Sequence, residues 1–295
     1  MDVEPVIIIG AGPAGLAVAI QLKRYGVHAL VFERAAMGGL LLNANLVENY
    51  PGFPGGIPGP TLVDLFIQQA RHLGIEVTFE EILALDYDQG MYQARTEIKS
   101  YASRVAVIAT GTKPATFADL PIPGNLESRI FYEVYPLLKM EGKSIAIIGS
   151  GDAAFDYGLN LSRKNQVFIL NRGESPKCLP LLWERAQKTS AITYHAKTSV
   201  SQLDECPTNQ ILLNCHTPAG VIQLGVDYLV AAIGREPQVD CLSISLRQQT
   251  SNLAEQGVLY LIGDVANGMF RQTAIAVGDG VKAAMRIYRK LKENL

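Results

Sequence analysis

The sequence predicts an α/β fold in which one strand–turn–helix–strand unit occurs twice. Three observations carry that expectation. Val6–Ile9 is an apolar strand, Gly10-Ala11-Gly12 a turn, Ala14–Tyr25 an amphipathic helix and His28–Phe32 a second strand that ends at Glu33. Ser144–Arg172 repeats the pattern as SIAIIGSGDAAFDYGLNLSRKNQVFILNR. The chain has 295 residues, long enough for two domains with their own cores.

The first unit carries G-x-G-x-x-G at Gly10, Gly12 and Gly15. The first glycine permits the tight turn, the second lets backbone approach a pyrophosphate, and the third lets the helix pack close on the strand. Pro13 and Ala14 open that helix, whose unpaired N–H groups face the phosphates. Glu33 stands 23 positions after Gly10, where a carboxylate accepts hydrogen bonds from a ribose, and Arg34 follows it. These features define a Rossmann-like dinucleotide site.

The second unit carries G-x-G-x-x-A at Gly149, Gly151 and Ala154, with Asp152 and Ala153 opening its helix. Superposing Gly10 on Gly149 without a gap places Arg24 on Arg163 and Glu33 on Arg172. Glu33 suits the bare ribose of FAD, whereas Arg172 suits the 2′-phosphate of NADP. The competing reading of Arg172 is a solvated charge at a strand end.

Composition excludes several classes. Hydrophobic residues make up 48% and charged residues 18%, an ordinary globular balance, and a net charge of −2 gives no broad surface for nucleic acid. No apolar run approaches the ~18 residues that span a membrane. The acidic start, Met1-Asp2-Val3-Glu4-Pro5, leads straight into a strand and predicts no secretory leader, hence a cytoplasmic protein. Cys178, Cys206, Cys215 and Cys241 are widely spaced, which fits unpaired thiols and offers no metal cluster. His28, His72, His195 and His216 form no arrangement that implies a hydrolase, and each reads as structural.

Between the two units, Thr61 is expected to cap a helix that buries Leu62, Leu65, Phe66 and Ala70. Glu76–Phe79 reads as a strand, Ile82–Tyr87 and Met91–Thr96 as a hairpin, and Arg104–Ala109 as a strand ending in Ala109-Thr110-Gly111. Pro114, Pro121 and Pro123 mark a linker, and Gly234-Arg235-Glu236-Pro237 the return. After the second unit come a helix at Leu181–Lys188 and strands at Ile192–His195, Ser199–Leu203, Gln210–His216, Val221–Leu224 and Tyr228–Ile233. Tyr260–Ile262 leads into Gly263-Asp264-Val265, and a last helix over Thr273–Lys292 is expected to bury Ile275, Val277, Val281, Ala284, Met285 and Tyr288.

With these motifs in place the chain resembles the low-molecular-weight thioredoxin reductases over almost its full length. The matching residues are Gly38-Gly39 with Leu40, Glu48-Asn49-Tyr50-Pro51-Gly52, Gly149-Ser150-Gly151-Asp152, and Gly263-Asp264-Val265 with Arg271-Gln272. The resemblance implies an FAD domain formed by both chain ends, 1–113 with 244–295, and an NAD(P) domain inserted at 114–243. It implies FAD contacts at Gly39, Leu40, Asn49, Ala109, Thr110, Gly111, Gly263 and Asp264, with Arg271 and Gln272 near the flavin. Gly234, Asn171, Arg172 and Lys177 would serve the nicotinamide nucleotide. The family's selecting run is His-Arg-Arg with a further Arg; here Asn171-Arg172-Gly173 with Lys177 stands in its place, and Glu174 opposes it. NADP and NAD therefore both stay open. The resemblance also implies a homodimer.

One departure is decisive. Thioredoxin reductases carry C-x-x-C shortly before the second glycine turn; here those positions fall near Tyr132 and Tyr135, and no cysteine occurs from Met1 to Lys177. Disulfide reduction by the family's route is excluded. Tyr132 and Tyr135 are candidates to pack on the flavin ring, or ordinary core tyrosines. The expected function is an FAD-dependent NAD(P)H oxidoreductase that passes electrons to an external acceptor such as ferredoxin or flavodoxin, with no side chain assigned as catalytic. Two alternatives remain: a thiol–disulfide enzyme using the scattered cysteines or an unusual second cofactor, and a flavin-based sensor without turnover.

Overall fold

The computed structural model describes residues 3–118, 120–206 and 209–293. Met1 and Asp2 of the acidic start, Asp119 of the Pro-rich linker and the terminal Leu295 lie outside them. The chain divides into two units, one of residues 1–42, 47–113 and 236–295, the other of residues 43–46 and 114–235.

The first unit is built on a sheet ordered Val77–Thr78, Leu30–Phe32, Val3–Ile9, Ser100–Ile108, Met91–Arg95 and Ala84–Asp88, with Leu259–Leu261 also parallel to Ser100–Ile108. The strands around Val3–Ile9 are parallel and buried on both faces, which is why they read as unbroken apolar runs. Val6 and Ile8 face the helices Pro13–Arg24 and Thr273–Glu293, while Ile7 and Ile9 face Leu85, Tyr92, Leu246 and Leu253. The hairpin turns at Gln89 (φ 48°) and Gly90 (φ 82°), the left-handed pair a two-residue turn requires.

The second unit repeats the parallel core as Ile192–His195, Gln166–Leu170, Ser144–Ile148, Tyr228–Ala231 and Ile130–Phe131. A separate antiparallel sheet of Ser199–Glu205, Ile211–Thr217 and Gly220–Val226 follows.

Four expectations need correction. Thr61 is not a cap: the helix runs Gly59–His72 behind Pro58, so Thr61 lies inside it, and Leu65 is exposed. The last helix buries Ala276, Gly280, Ala283, Ala284 and Ile287, while Ile275, Val281 and Met285 are exposed. Its neighbour is too close for large side chains, since a Cβ on Gly280 would collide with the Ala14 carbonyl oxygen. A helix at Ile244–Glu255, capped by the Ser243 hydroxyl accepting from Leu246 N–H at 3.2 Å, lies where no element was expected.

The fourth correction concerns the repeat. Gly10 N–H donates to Phe32 O at 2.8 Å, whereas Gly149 N–H donates to Leu170 O at 3.1 Å. Strand registers agree, pairing Ile9 with Phe32 and Ile148 with Leu170. The helices superpose as expected, with Tyr25 N–H on Leu22 O and Lys164 N–H on Leu161 O. The loop from helix to strand is thus one residue shorter in the second unit, and Glu33 corresponds to Asn171, not Arg172.

Candidate functional site

In the first unit the strand end, the turn and the helix start are locked by backbone contacts. Gly10 lies at φ 102°, and a Cβ there would collide with Ala109 O, so only glycine fits. A Cβ on Gly15 would collide with Gly10 O. A Cβ on Gly12, in contrast, would meet nothing within 4 Å, leaving the second glycine open as a ligand-approach position must be. Pro13 is the first residue of the helix, where its missing N–H costs nothing, and Ala14 behind it is buried. Glu33 stands over this turn, its Oε2 accepting from Ala11 N–H at 2.9 Å and its Oε1 from Ala35 N–H at 3.1 Å. Arg34 reaches away to Glu81 at 3.6 Å.

Other expected residues gather around the same turn. Gly38 N–H donates to Ala11 O at 2.9 Å, which seats Gly39 against Gly12, and Leu40 continues into the short Gly39–Asn43 helix. Ala109 N–H donates to Ile9 O at 2.8 Å, and the Thr110 hydroxyl donates to Gln238 O at 2.5 Å. Gln238 N–H returns a bond to Gly111 O at 3.0 Å. Gly263, at φ 70°, packs against Ala14, with Asp264 in the turn of helix it begins. The Asn49 amide donates to the Gln272 carbonyl oxygen at 2.8 Å, joining two expected residues 223 positions apart. Arg271, beside Gln272, is half-buried.

Asp279 was missed. Its Oδ2 accepts from Gly263 N–H at 3.2 Å and from the Asn267 amide at 2.6 Å, pinning the Gly263 turn to the last helix. The only sequence signal was an acid between two glycines on an otherwise apolar face.

In the second unit Gly149 (φ 148°) would collide with Ala232 O if it carried a Cβ, while Gly151 has open space, as Gly10 and Gly12 do. Ala154 is buried and Ala153 exposed. The Asp152 carboxylate accepts from Leu179 N–H at 2.8 Å, and Lys177 N–H donates to Ser150 O at 2.7 Å. The segment after the second strand is therefore tied to the turn at two points. Asn171 is buried and bonded on every side, while Arg172 is exposed with no partner among the described residues. Gly234, at φ 118°, accepts from Ala115 N–H at 3.0 Å near the unit's chain crossings.

The segment Tyr132–Tyr135, where the resemblance would put the family's redox cysteines, is held by a polar cluster. The Asn43 carbonyl oxygen accepts from Val134 N–H at 2.9 Å and Tyr135 N–H at 2.8 Å, and Glu133 pairs with Arg235 at 3.2 Å. Tyr132 packs against Phe117 with ring centroids 6.4 Å apart, and the Tyr135 ring is exposed. Asn45 N–H donates to Asp156 at 2.9 Å, and Arg163 donates to Asn45 Oδ1 at 2.6 Å. Burial pushes Asp156 up to about 6, outweighing those bonds and the nearby Arg163. Burial raises the Tyr157 hydroxyl beside it to about 12.

Burial also lifts Cys178 and Cys215 and pushes Cys241 up to about 11, so these sulfurs are thiols at neutral pH. Cys215 pairs with Val200, while Cys206 follows Glu205, which pairs with Ile211, at the far end of that ladder. Four residues of strand separate them by about 13 Å, beyond disulfide reach. His28 bonds Glu4 at 2.9 Å on the surface, and burial lowers His195. Among the described residues no group of three His, Cys, Asp or Glu is placed to hold a metal, and no helix is long and apolar enough to cross a membrane.

Two glycine turns at parallel-strand ends, each with an open second glycine and a distinct polar residue after its second strand, define an oxidoreductase that uses FAD with a nicotinamide nucleotide. The chain belongs to the pyridine nucleotide-disulphide oxidoreductase family, whose profile matches residues 4–280, and is thioredoxin reductase-like within it. A thioredoxin reductase of Streptomyces coelicolor is 30% identical over 304 residues, covering 96% of this chain and 92% of that protein. That of Mycolicibacterium smegmatis is 28% identical, covering 99% and 97%. The crystal structure of Lactococcus lactis thioredoxin reductase superposes with a TM-score of 0.83 at 25% identity, covering 98% and 99%. The proteins of this type use FAD and NADPH.

Proposed function

We propose that this protein is an NAD(P)H oxidoreductase that hands electrons from a flavin to a soluble carrier such as ferredoxin or flavodoxin. The observation that carries the reading is the segment Tyr132–Tyr135. It stands where the relatives resembled carry the redox cysteines, it contains none, and two of its N–H groups are held by Asn43. FAD, held by the residues named below, would supply the redox chemistry that joins a two-electron hydride donor to a carrier, the two electrons of one NAD(P)H leaving one at a time where the carrier takes only one.

The chain's own part is binding and orientation. Gly10, Gly12 and Gly15 with Pro13 and Ala14 present backbone N–H groups to a pyrophosphate, and Glu33 receives ribose hydroxyls. Asp264, Asn49, Gln272 and Arg271 flank the flavin side of the same unit. Gly149, Gly151 and the Asn171–Lys177 segment take the nicotinamide nucleotide. The raised thiols and the separation of Cys206 from Cys215 weigh against the scattered cysteines as a redox centre. Met269, Phe270, Ile275 and Met285 leave an exposed apolar stretch on the first unit, which supports a homodimer.

The test is anaerobic mixing of the flavoprotein with NADPH and with NADH, followed by ferredoxin, flavodoxin and thioredoxin. Bleaching of the oxidised flavin's visible absorption and reoxidation by the first two carriers is the expected result. No bleaching by either nucleotide overturns it, and reoxidation by thioredoxin alone returns the acceptor to that named for the relatives.

A further inference from the structure

The segment after the second strand of unit 2 is shaped by its own bonds. Asn171 Oδ1 accepts from Gly173 N–H at 2.8 Å, and its Nδ2 donates to Ser175 O at 2.9 Å and to the Tyr194 hydroxyl at 2.7 Å. The turn after the neighbouring strand braces the same segment. Lys197 N–H donates to Gly173 O, and Thr198 N–H to Asn171 O, both at 2.8 Å. Lys197 holds φ 50°, a left-handed conformation uncommon for a residue with a side chain. Its Nζ lies 2.6 Å from Glu174 Oε1 on an exposed surface. Arg172, on the other side of Gly173, is exposed and has no partner among the described residues.

We propose that Arg172 and Lys197 together grip the 2′-phosphate of NADP(H), and that Glu174 holds Lys197 in position until the phosphate takes its place. This rests on reading unit 2 as the nicotinamide nucleotide site. The residue at the ribose position is the neutral, fully bonded Asn171, so no carboxylate there repels a phosphate or rewards a bare ribose. Glu174 is the remaining negative charge on the segment, and Lys197 cancels it. An exposed ion pair costs little to open, and a phosphate with nearly two negative charges attracts an ammonium more strongly than one carboxylate does. NADH offers no such exchange. Lys197 comes from a different strand end than Arg172, so it lies outside the stretch in which a selecting run is sought by sequence.

The test is calorimetric titration of the flavoprotein with adenosine 2′,5′-bisphosphate and with adenosine 5′-monophosphate, which needs no turnover. Lys197→Met should weaken the bisphosphate about tenfold and leave the monophosphate unchanged. Glu174→Gln, which releases Lys197, should tighten the bisphosphate. Equal weakening of both ligands by Lys197→Met, no change in either, or weaker bisphosphate binding by Glu174→Gln overturns the proposal. If the unaltered protein binds neither ligand, the nucleotide reading of unit 2 falls as well; if it binds both and Lys197→Met has no effect, only the role of Lys197 falls.

Discussion

Glu33 and Asn171 hold the same position in the two units, each following the residue whose carbonyl accepts the N–H of the first turn glycine. The acid leans over its turn to Ala11 N–H, while the amide turns away and bonds Gly173, Ser175 and Tyr194. One position thus presents an acceptor in the first unit and structural support in the second. Glu33→Gln should lower FAD affinity roughly tenfold, the worth of a charged hydrogen bond. Flavin retained after dilution and ultrafiltration measures it.

Gly10→Ala and Gly149→Ala place a methyl against the carbonyl oxygens of Ala109 and Ala232. Either should cost about 3 kcal/mol or more in its own unit, from the collision and the positive φ. The two differ in readout. Gly10→Ala should yield protein without flavin, and Gly149→Ala a yellow protein that NADPH fails to bleach.

Asn43→Ala removes the acceptor shared by Val134 and Tyr135 N–H. Leaving buried donors unpaired costs about 1–3 kcal/mol. Faster amide hydrogen exchange at those two residues, read by mass spectrometry, is the expected sign.

Asp156 gives a pH dependence with a definite direction. Burial raises its carboxyl from 3.8 to about 6 in the folded chain, so the folded state binds the proton more tightly than the unfolded one. Its contribution to stability is full below about pH 4 and is lost as pH rises through 6, a difference on the order of 3 kcal/mol. Asp156→Asn should melt at a higher temperature than the parent above pH 6, with the gap closing between pH 6 and 4. A gap that does not vary with pH would show that the charge is not the cause.

The parts of the fold legible in the sequence are those governed by short-range rules. Apolar runs of strand length, the glycine turns and the hairpin at Asp88-Gln89-Gly90 each follow from local sterics and burial. Asn49 and Gln272 were expected as separate residues of one site, and they are hydrogen-bonded. The helix Ile244–Glu255 was invisible because it buries only Leu246 and Leu253 and exposes Ile244, leaving no periodic stripe. In the last helix Ala284 is buried as expected, but Ile275, Val281 and Met285 are exposed, because large apolar residues mark a core only where the neighbour leaves room. The one-residue shortening before Gln166 was hidden because both strands end in charged or polar residues, so a gapless match looked complete. Asn43–Leu46 carries no local signal at all; its bonds go to residues 134, 135, 156 and 163.

The close crossing of Ala14 and Gly280 sets an order of assembly. The helix that begins at Pro13 is made early in synthesis and packs on the strand Val3–Ile9, yet its cover is completed only when the helix Thr273–Glu293 arrives, and the Gly263 turn that packs on Ala14 is also made late. Most of unit 2, residues 114–235, emerges in between with its parallel core complete. Domains form as units while the chain grows. The inserted unit is therefore able to fold while the first glycine turn still waits for its partner, and that turn, begun first, is finished last.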